Sequence, residues 1–221
     1  MKINLFMKKL FFSFLLGLML LGAQAAFSQS FNGGLIAGAT FSQVDGDHYA
    51  GFHHLGATAG GYVNLPFENH FSLQMELKYT FLGARSSIKE ELEYGYNHFY
   101  LHFHYAELPL MLRYNLGYFN VGGKSLDFIA LELGVSLDFL LKSQESADYE
   151  PVYESSRWNF FSMTGNAGVH FNLTRHWGIG ARFMYSVVPI RFTGNPGWFI
   201  NQYYNKAWQA TVTYNLYSPV R

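Results

Sequence analysis

The sequence predicts an all-β fold, an eight-stranded antiparallel up-and-down transmembrane β-barrel. Three observations predict it. Apolar side chains recur at every second position in eight segments, and short and long connections alternate between those segments. The third is composition: of 221 residues 49% are hydrophobic and 19% aromatic, yet only 14% are charged. A soluble domain carries roughly a quarter charged residues, so this surface is short of charge. No cysteine is present, which excludes a disulfide scaffold and a cysteine-based metal site. With 15 basic groups against 15 acidic ones there is no positive field for nucleic acid.

The first segment is an export address. Lys8 and Lys9 precede an apolar run over residues 10–21, and Ala23, Gln24 and Ala25 follow as a small-x-small pattern. A run of about 12 apolar residues is too short for a spanning helix, which needs about 20. Residues 1–28 therefore read as a secretory signal peptide cleaved near residues 25–29, and residues 29–221 as the barrel domain. Removing the leader takes Lys2, Lys8 and Lys9 and no acid, so 12 of the 15 basic groups remain against 15 acidic ones and the formal charge becomes −3.

The strands then follow in order. Leu35, Ala37, Ala39 and Phe41 alternate with Ile36, Gly38, Thr40 and Ser42, and Leu55, Ala57, Ala59, Val63 and Leu65 alternate with Thr58, Gly60 and Asn64. Over residues 71–81 the separation is complete: Phe71, Leu73, Met75, Leu77, Tyr79 and Phe81 oppose Ser72, Gln74, Glu76, Lys78 and Thr80. A strand sends successive side chains to opposite faces, whereas a helix would mix the two sets. Residues 99–116 change phase, with Leu101, Phe103 and Tyr105 apolar at odd positions and Leu108, Leu110, Leu112 and Tyr114 at even ones. The expectation is a β-bulge near residues 106–108, beside Pro109, that restores a single apolar face. Residues 129–141, 161–173, 177–187 and 208–216 complete the eight with the same alternation.

Connections at residues 66–70, 117–124 and 174–176 are short, and those at 44–54, 85–98, 142–157 and 190–205 are long. Tight turns at one rim and long loops at the other describe an outer-membrane barrel. The polar faces hold mostly Gly, Ser, Thr, Asn and Gln, which suits a narrow packed interior better than the charged exterior of a soluble barrel. The apolar face is thus expected to meet lipid, and the chain is placed in the bacterial outer membrane. Eight strands leave room only for side chains inside, so no open channel is expected.

One segment carries a family resemblance. Residues 105–114, with Tyr105, Glu107, Pro109, Leu110, Leu112, Arg113 and Tyr114, resemble the Tyr-x-Glu-(Ile/Val)-Pro-Leu-Leu-Leu-(Lys/Arg)-Tyr segment of PorT-like outer-membrane β-barrel proteins. Residues 42–46, 71–79 and 185–190 support it. The resemblance implies a non-enzymatic barrel, structural or partner-binding, and an accessory role in type IX protein secretion. The alternatives are a barrel enzyme acting on lipid and a small pore.

Seven polar residues are expected to face the lumen as a structural network: Glu76, Lys78, Arg113, Glu132, Asp138, His170 and Arg182. Lone charges in an apolar wall are costly, so they should pair across the interior. His98, His102 and His104 share a parity, and imidazoles two apart on a strand can converge on an ion. The expected reading is hydrogen bonding in the lumen or at the upper rim, with no metal and no cofactor. Asp45, Gly46 and Asp47, near His48, His53 and His54, lack the remaining ligands of a calcium loop and read as a glycine-tipped turn. No Ser and His pair is expected on the outward faces, since His170, Ser162 and Thr164 point inward. Acidic and aromatic groups gather in the long loops: Glu90, Glu91, Glu93, Tyr94 and Tyr96; Glu145, Asp148, Tyr149, Glu150, Tyr153 and Glu154; Trp198, Phe199, Tyr203 and Tyr204. Loops on a rigid scaffold commonly carry binding. The expected partners are outer-membrane lipids and, through these loops, secretion or envelope proteins, with the chain itself a monomer.

Overall fold

The computed structural model describes residues 31–46, 51–67, 70–86, 99–122, 124–147, 150–151, 158–192 and 202–217. The leader lies outside them. Eight long strands form the barrel: β1 (Asn32–Asp45), β2 (His54–Pro66), β3 (Phe71–Arg85), β4 (Phe99–Asn115), β5 (Ile129–Ala147), β6 (Phe161–Asn172), β7 (Trp177–Ser186) and β8 (Gln202–Tyr217). Each pairs antiparallel with the next, and β8 returns to β1 with Leu35 opposite Tyr214 and Phe41 opposite Trp208. Closure places the ladder groups between two strands, as lipid requires, except at the long-loop end of β3. At the turn rim Asn115 Oδ1 accepts from the Gly117 amide at 2.8 Å, starting a short 3₁₀ turn (Leu116–Tyr118) and a small hairpin of Asn120–Val121 with Lys124–Ser125.

Period two decides which side chains see the outside. Leu35, Leu55, Met75, Leu77, Leu110, Leu133, Val135, Ile179 and Val212 are exposed, while the alternate residues Ile36, Thr58, Gln74, Glu76, Glu132, Ser136, Arg182 and Thr211 are buried. Aromatic pairs mark two levels on the outer wall. Phe71 with Tyr114 and Trp177 with Tyr214, each 4.8 Å between ring centres, stand near the turn rim; Phe183 with Trp208 at 5.0 Å stands nearer the long loops. Such belts suit the two membrane interfaces, where an amphipathic ring has one wet and one apolar side.

β4 departs from expectation. It runs without a bulge: its pairing with β3 holds one register from Phe71 opposite Tyr114 to Arg85 opposite Tyr100. Its odd residues point inward throughout, so Leu101, Phe103 and Tyr105 are buried inside the barrel rather than turned toward lipid. The bulge sits one strand over, in β5, where His104 opposes Lys142 but Tyr105 opposes Leu140, leaving Leu141 as the extra residue. Leu141 and Lys142 are consequently both on the outer face, and both are exposed.

The long-loop end of β3 has an unusual partner. The β2–β3 ladder starts at Thr58 opposite Thr80, so the β3 backbone beyond Thr80 has no β2 neighbour. Hydroxyls of β1 reach across instead. Thr40 Oγ1 donates to the Phe81 carbonyl at 2.7 Å, and Ser42 Oγ both donates to the Gly83 carbonyl and accepts from its amide, at 2.9 Å each. Gly56 makes this crossing possible, because a Cβ there would collide with the Phe81 carbonyl oxygen and with Thr40 Oγ1. Buried backbone groups need partners, and here side chains two strands away supply them.

Candidate functional site

The interior is built in two tiers. In the ionic tier Arg182 of β7 extends across the lumen to β3, donating through Nη1 and Nη2 to the two oxygens of Glu76 at 2.8 and 2.6 Å, and through Nε to Glu132 Oε2 of β5 at 2.5 Å. Arg113 of β4 pairs with the other Glu132 oxygen. Lys78 lies 3.4 Å from both Glu76 and Glu107 and donates to Gln209 Oε1 at 3.0 Å. Gln74 Nε2 donates to Glu76 at 2.6 Å, and Thr80 donates to Glu107 at 2.8 Å. His170 Nδ1 stands 4.0 Å from Glu132. These side chains are almost wholly buried, and each charge has an opposite charge or hydrogen bond beside it, which is the condition for a tolerable buried ion.

Six of the seven residues read as lumenal thus share one network. Asp138 is also buried; it lies directly opposite Glu107 across the β4–β5 ladder and accepts from Ser136 Oγ at 2.5 Å and from Thr164. Sequence parity missed Glu107 because of the misplaced bulge. With β4 unbroken, Glu107 and Arg113 fall on one face, and that shared parity was the available signal.

Above the ionic tier lies an apolar one. Val44, Leu82, Leu101, Phe103, Tyr105 and Met184 fill the barrel toward the long loops, with Trp158 and Ile190 entering from the connections before β6 and after β7. Trp158 packs edge-on against Phe103 at 4.6 Å, Arg191 covers its ring at 5.0 Å, and Arg191 reaches Glu145 at 3.9 Å. Tyr203 completes the cover, its ring 5.8 Å from Trp158 and 5.3 Å from Arg191. The Tyr105 hydroxyl accepts from Asn205 Nδ2 at 3.0 Å. Both layers cross the bore.

Of the two expected places, lumen and upper rim, the β4 histidines take the rim. His102 and His104 lie on the outer face near the long-loop rim, not in the lumen, held through Nδ1 by His54 Nε2 at 3.1 Å and by the Tyr79 hydroxyl. Phe81 stacks on both, 5.3 Å from His102 and 4.8 Å from His104. Among the described residues no three His, Asp or Glu are gathered to hold a metal ion. Asp45 accepts from Gln43 and sits 3.8 Å from Lys206; Gly46 beside it has a left-handed φ of 101°. His98, His48 and Asp47 lie outside the described residues, as do Glu90, Glu91, Glu93, Tyr94, Tyr96, Asp148, Tyr149, Tyr153, Glu154, Trp198 and Phe199.

One Ser and His contact does form, which parity did not reveal: His54 Nδ1 lies 3.1 Å from Ser42 Oγ. That oxygen is buried and is occupied on both sides by the Gly83 backbone. His170 meets neither Ser162 nor Thr164; Ser162 donates to the Val188 carbonyl at 3.1 Å, and His170 Nε2 stands 3.5 Å from Thr213.

Residues 23–191 match the family model of the outer membrane protein beta-barrel domain. Among solved structures the chain is similar to Ail, the attachment invasion locus protein of Yersinia pestis, with 14% identity, a TM-score of 0.47, and coverage of 85% of this chain and 99% of that one. It is also similar to Neisserial surface protein A, with 12% identity, a TM-score of 0.43, and coverage of 84% and 97%. No curated protein matches the sequence. A closed eight-stranded wall with an apolar outer face, and a family match over most of its length, lead to one conclusion: the chain belongs to the outer membrane β-barrel protein family and resides in the bacterial outer membrane.

Proposed function

We propose that this barrel is a non-enzymatic, monomeric membrane component that acts by binding a protein partner at its long-loop end, as a PorT-like accessory of type IX secretion would. The observation that carries the reading is the doubly blocked interior: an ionic tier under an apolar one, with Trp158 and Arg191 over the mouth. A bore filled in this way has no path for solute, so its work falls to the outer surface and the loops. Along its eight long strands the closed sheet leaves no long free edge on which to add a second copy. The resemblance of residues 105–114 to the PorT-like segment supplies the secretion role.

Crosslinking and pull-down from native outer membranes tests the proposal. Capture of secretion-machinery proteins, together with loss of surface export on gene deletion, is the expected result. Intact export with a weakened envelope would favour a general structural role. For the enzymatic alternative, the Ser42 and His54 contact is the one such pair among the described residues. A serine nucleophile must reach substrate with its oxygen free for a base, and Ser42 Oγ is committed to Gly83. Incubation with labelled lipid A is expected to give no acyl release or transfer.

A further inference from the structure

We infer that the outer face of β3, β4 and β5 at the long-loop rim is a binding site for the phosphate-bearing headgroup of an outer-leaflet lipid. Strand register builds the patch row by row. Phe81, His104 and Lys142 lie side by side; Gly83, His102 and Gln144 form the next row; Arg85 stands beside Tyr100 above them. Arg85 and Lys142 are exposed, and the guanidinium lies over the Tyr100 ring at 5.1 Å. Below the patch, Leu77, Tyr79, Leu108 and Phe139 continue the wall as apolar and aromatic surface.

Height places the patch at the headgroups. Phe71 of the lower aromatic level and Phe81 lie on one strand, ten residues apart. At about 3.3 Å per residue and a tilt of about 40°, that separation is about 25 Å across the membrane, the height of an outer-membrane apolar band. Lys142, level with Phe81, therefore meets the acyl–headgroup boundary, and Arg85 stands higher, among the headgroups. The bulge at Leu141 adds to the fit by putting two consecutive residues outward, one apolar for the chains and one cationic for the head.

The chemistry is that of an anion with several oxygens. Arg offers a planar fork and Lys a point charge, the two usual partners of phosphate. His104 lies between them, and with the Tyr79 hydroxyl donating to its Nδ1 the proton sits on Nε2, free for a ligand. Among the described residues no carboxylate shares this face: Glu107 and Asp138 are buried inward, and Glu145 turns to Arg191. An electropositive face at headgroup height, with aromatic surface beneath it, matches a lipid phosphate.

The test uses the full barrel, folded in zwitterionic nanodiscs doped with bisphosphorylated lipid A, and counts lipid retained through purification by native mass spectrometry. Wild type is expected to retain it. Arg85→Gln with Lys142→Gln should lower retention by about tenfold per lost charge-assisted contact. Arg175→Gln, the loss of one charge at the opposite rim, should leave retention unchanged, whereas Arg85→Gln and Lys142→Gln should each lower it when made singly, and heat-modifiable mobility checks that each variant is folded. Dephosphorylated lipid A should not be retained, and millimolar inorganic phosphate should not displace the bound lipid. Equal retention by wild type and the double variant, equal retention of the dephosphorylated lipid, or full displacement by free phosphate would each overturn the inference.

Discussion

Arg182 is the residue on which the lumen turns. It is 1% exposed and, among the described residues, is the single side chain that touches carboxylates on both β3 and β5. Arg182→Leu leaves Glu76 and Glu132 short of their principal cation, and removing one partner of a buried pair costs about 3–5 kcal/mol. A fall of that size in unfolding free energy, read from urea titration of the folded barrel in detergent, is the expected outcome. Lys206→Gln is the contrast, because its pair with Asp45 at 3.8 Å is about a third exposed on both sides and should be worth no more than about 1 kcal/mol. The sequence located these charges well: period two alone placed Glu76, Lys78, Glu132 and Arg182 inside. Which charge meets which was not legible, since Arg182 and Glu76 stand on strands that are not neighbours and meet only when the sheet closes.

At the scale of elements, β5 makes the sharpest prediction. Deleting its bulged Leu141 restores continuous pairing with β4 and keeps Ser143 and Glu145 on the inner face, so the variant should still fold and show heat-modifiable mobility. Deleting Leu133, in regular ladder, shifts one part of the strand by a residue and sends a polar set toward lipid; that variant should lose the folded band. A second test belongs to the crossing between β1 and β3. Gly56→Val forces a side chain into the Phe81 carbonyl and Thr40, and faster amide exchange in β3 beyond Thr80 is expected. The strand count and the outward faces were readable because lipid imposes one rule on every strand. β4 was misread for a physical reason: the expectation assumed a lumen polar along its whole height. Leu101, Phe103 and Tyr105 looked out of phase, although they obey the alternation and simply fill an apolar upper tier.

For the whole molecule, the two tiers predict a silent barrel. Planar-bilayer recordings of the purified protein should show no steady single-channel current, and large, stable openings would contradict the packed bore. The cross-lumen pairing also bears on biogenesis. Glu76, Arg113, Glu132 and Arg182 come from four different strands, and Arg182 lies on the seventh. A sheet inserted strand by strand would carry Glu76 and Glu132 into hydrocarbon with only Lys78 and Arg113 beside them, short of their principal cation, until that strand arrived. Insertion is therefore expected to be concerted, with the nascent sheet sheltered from lipid until its seam zips shut.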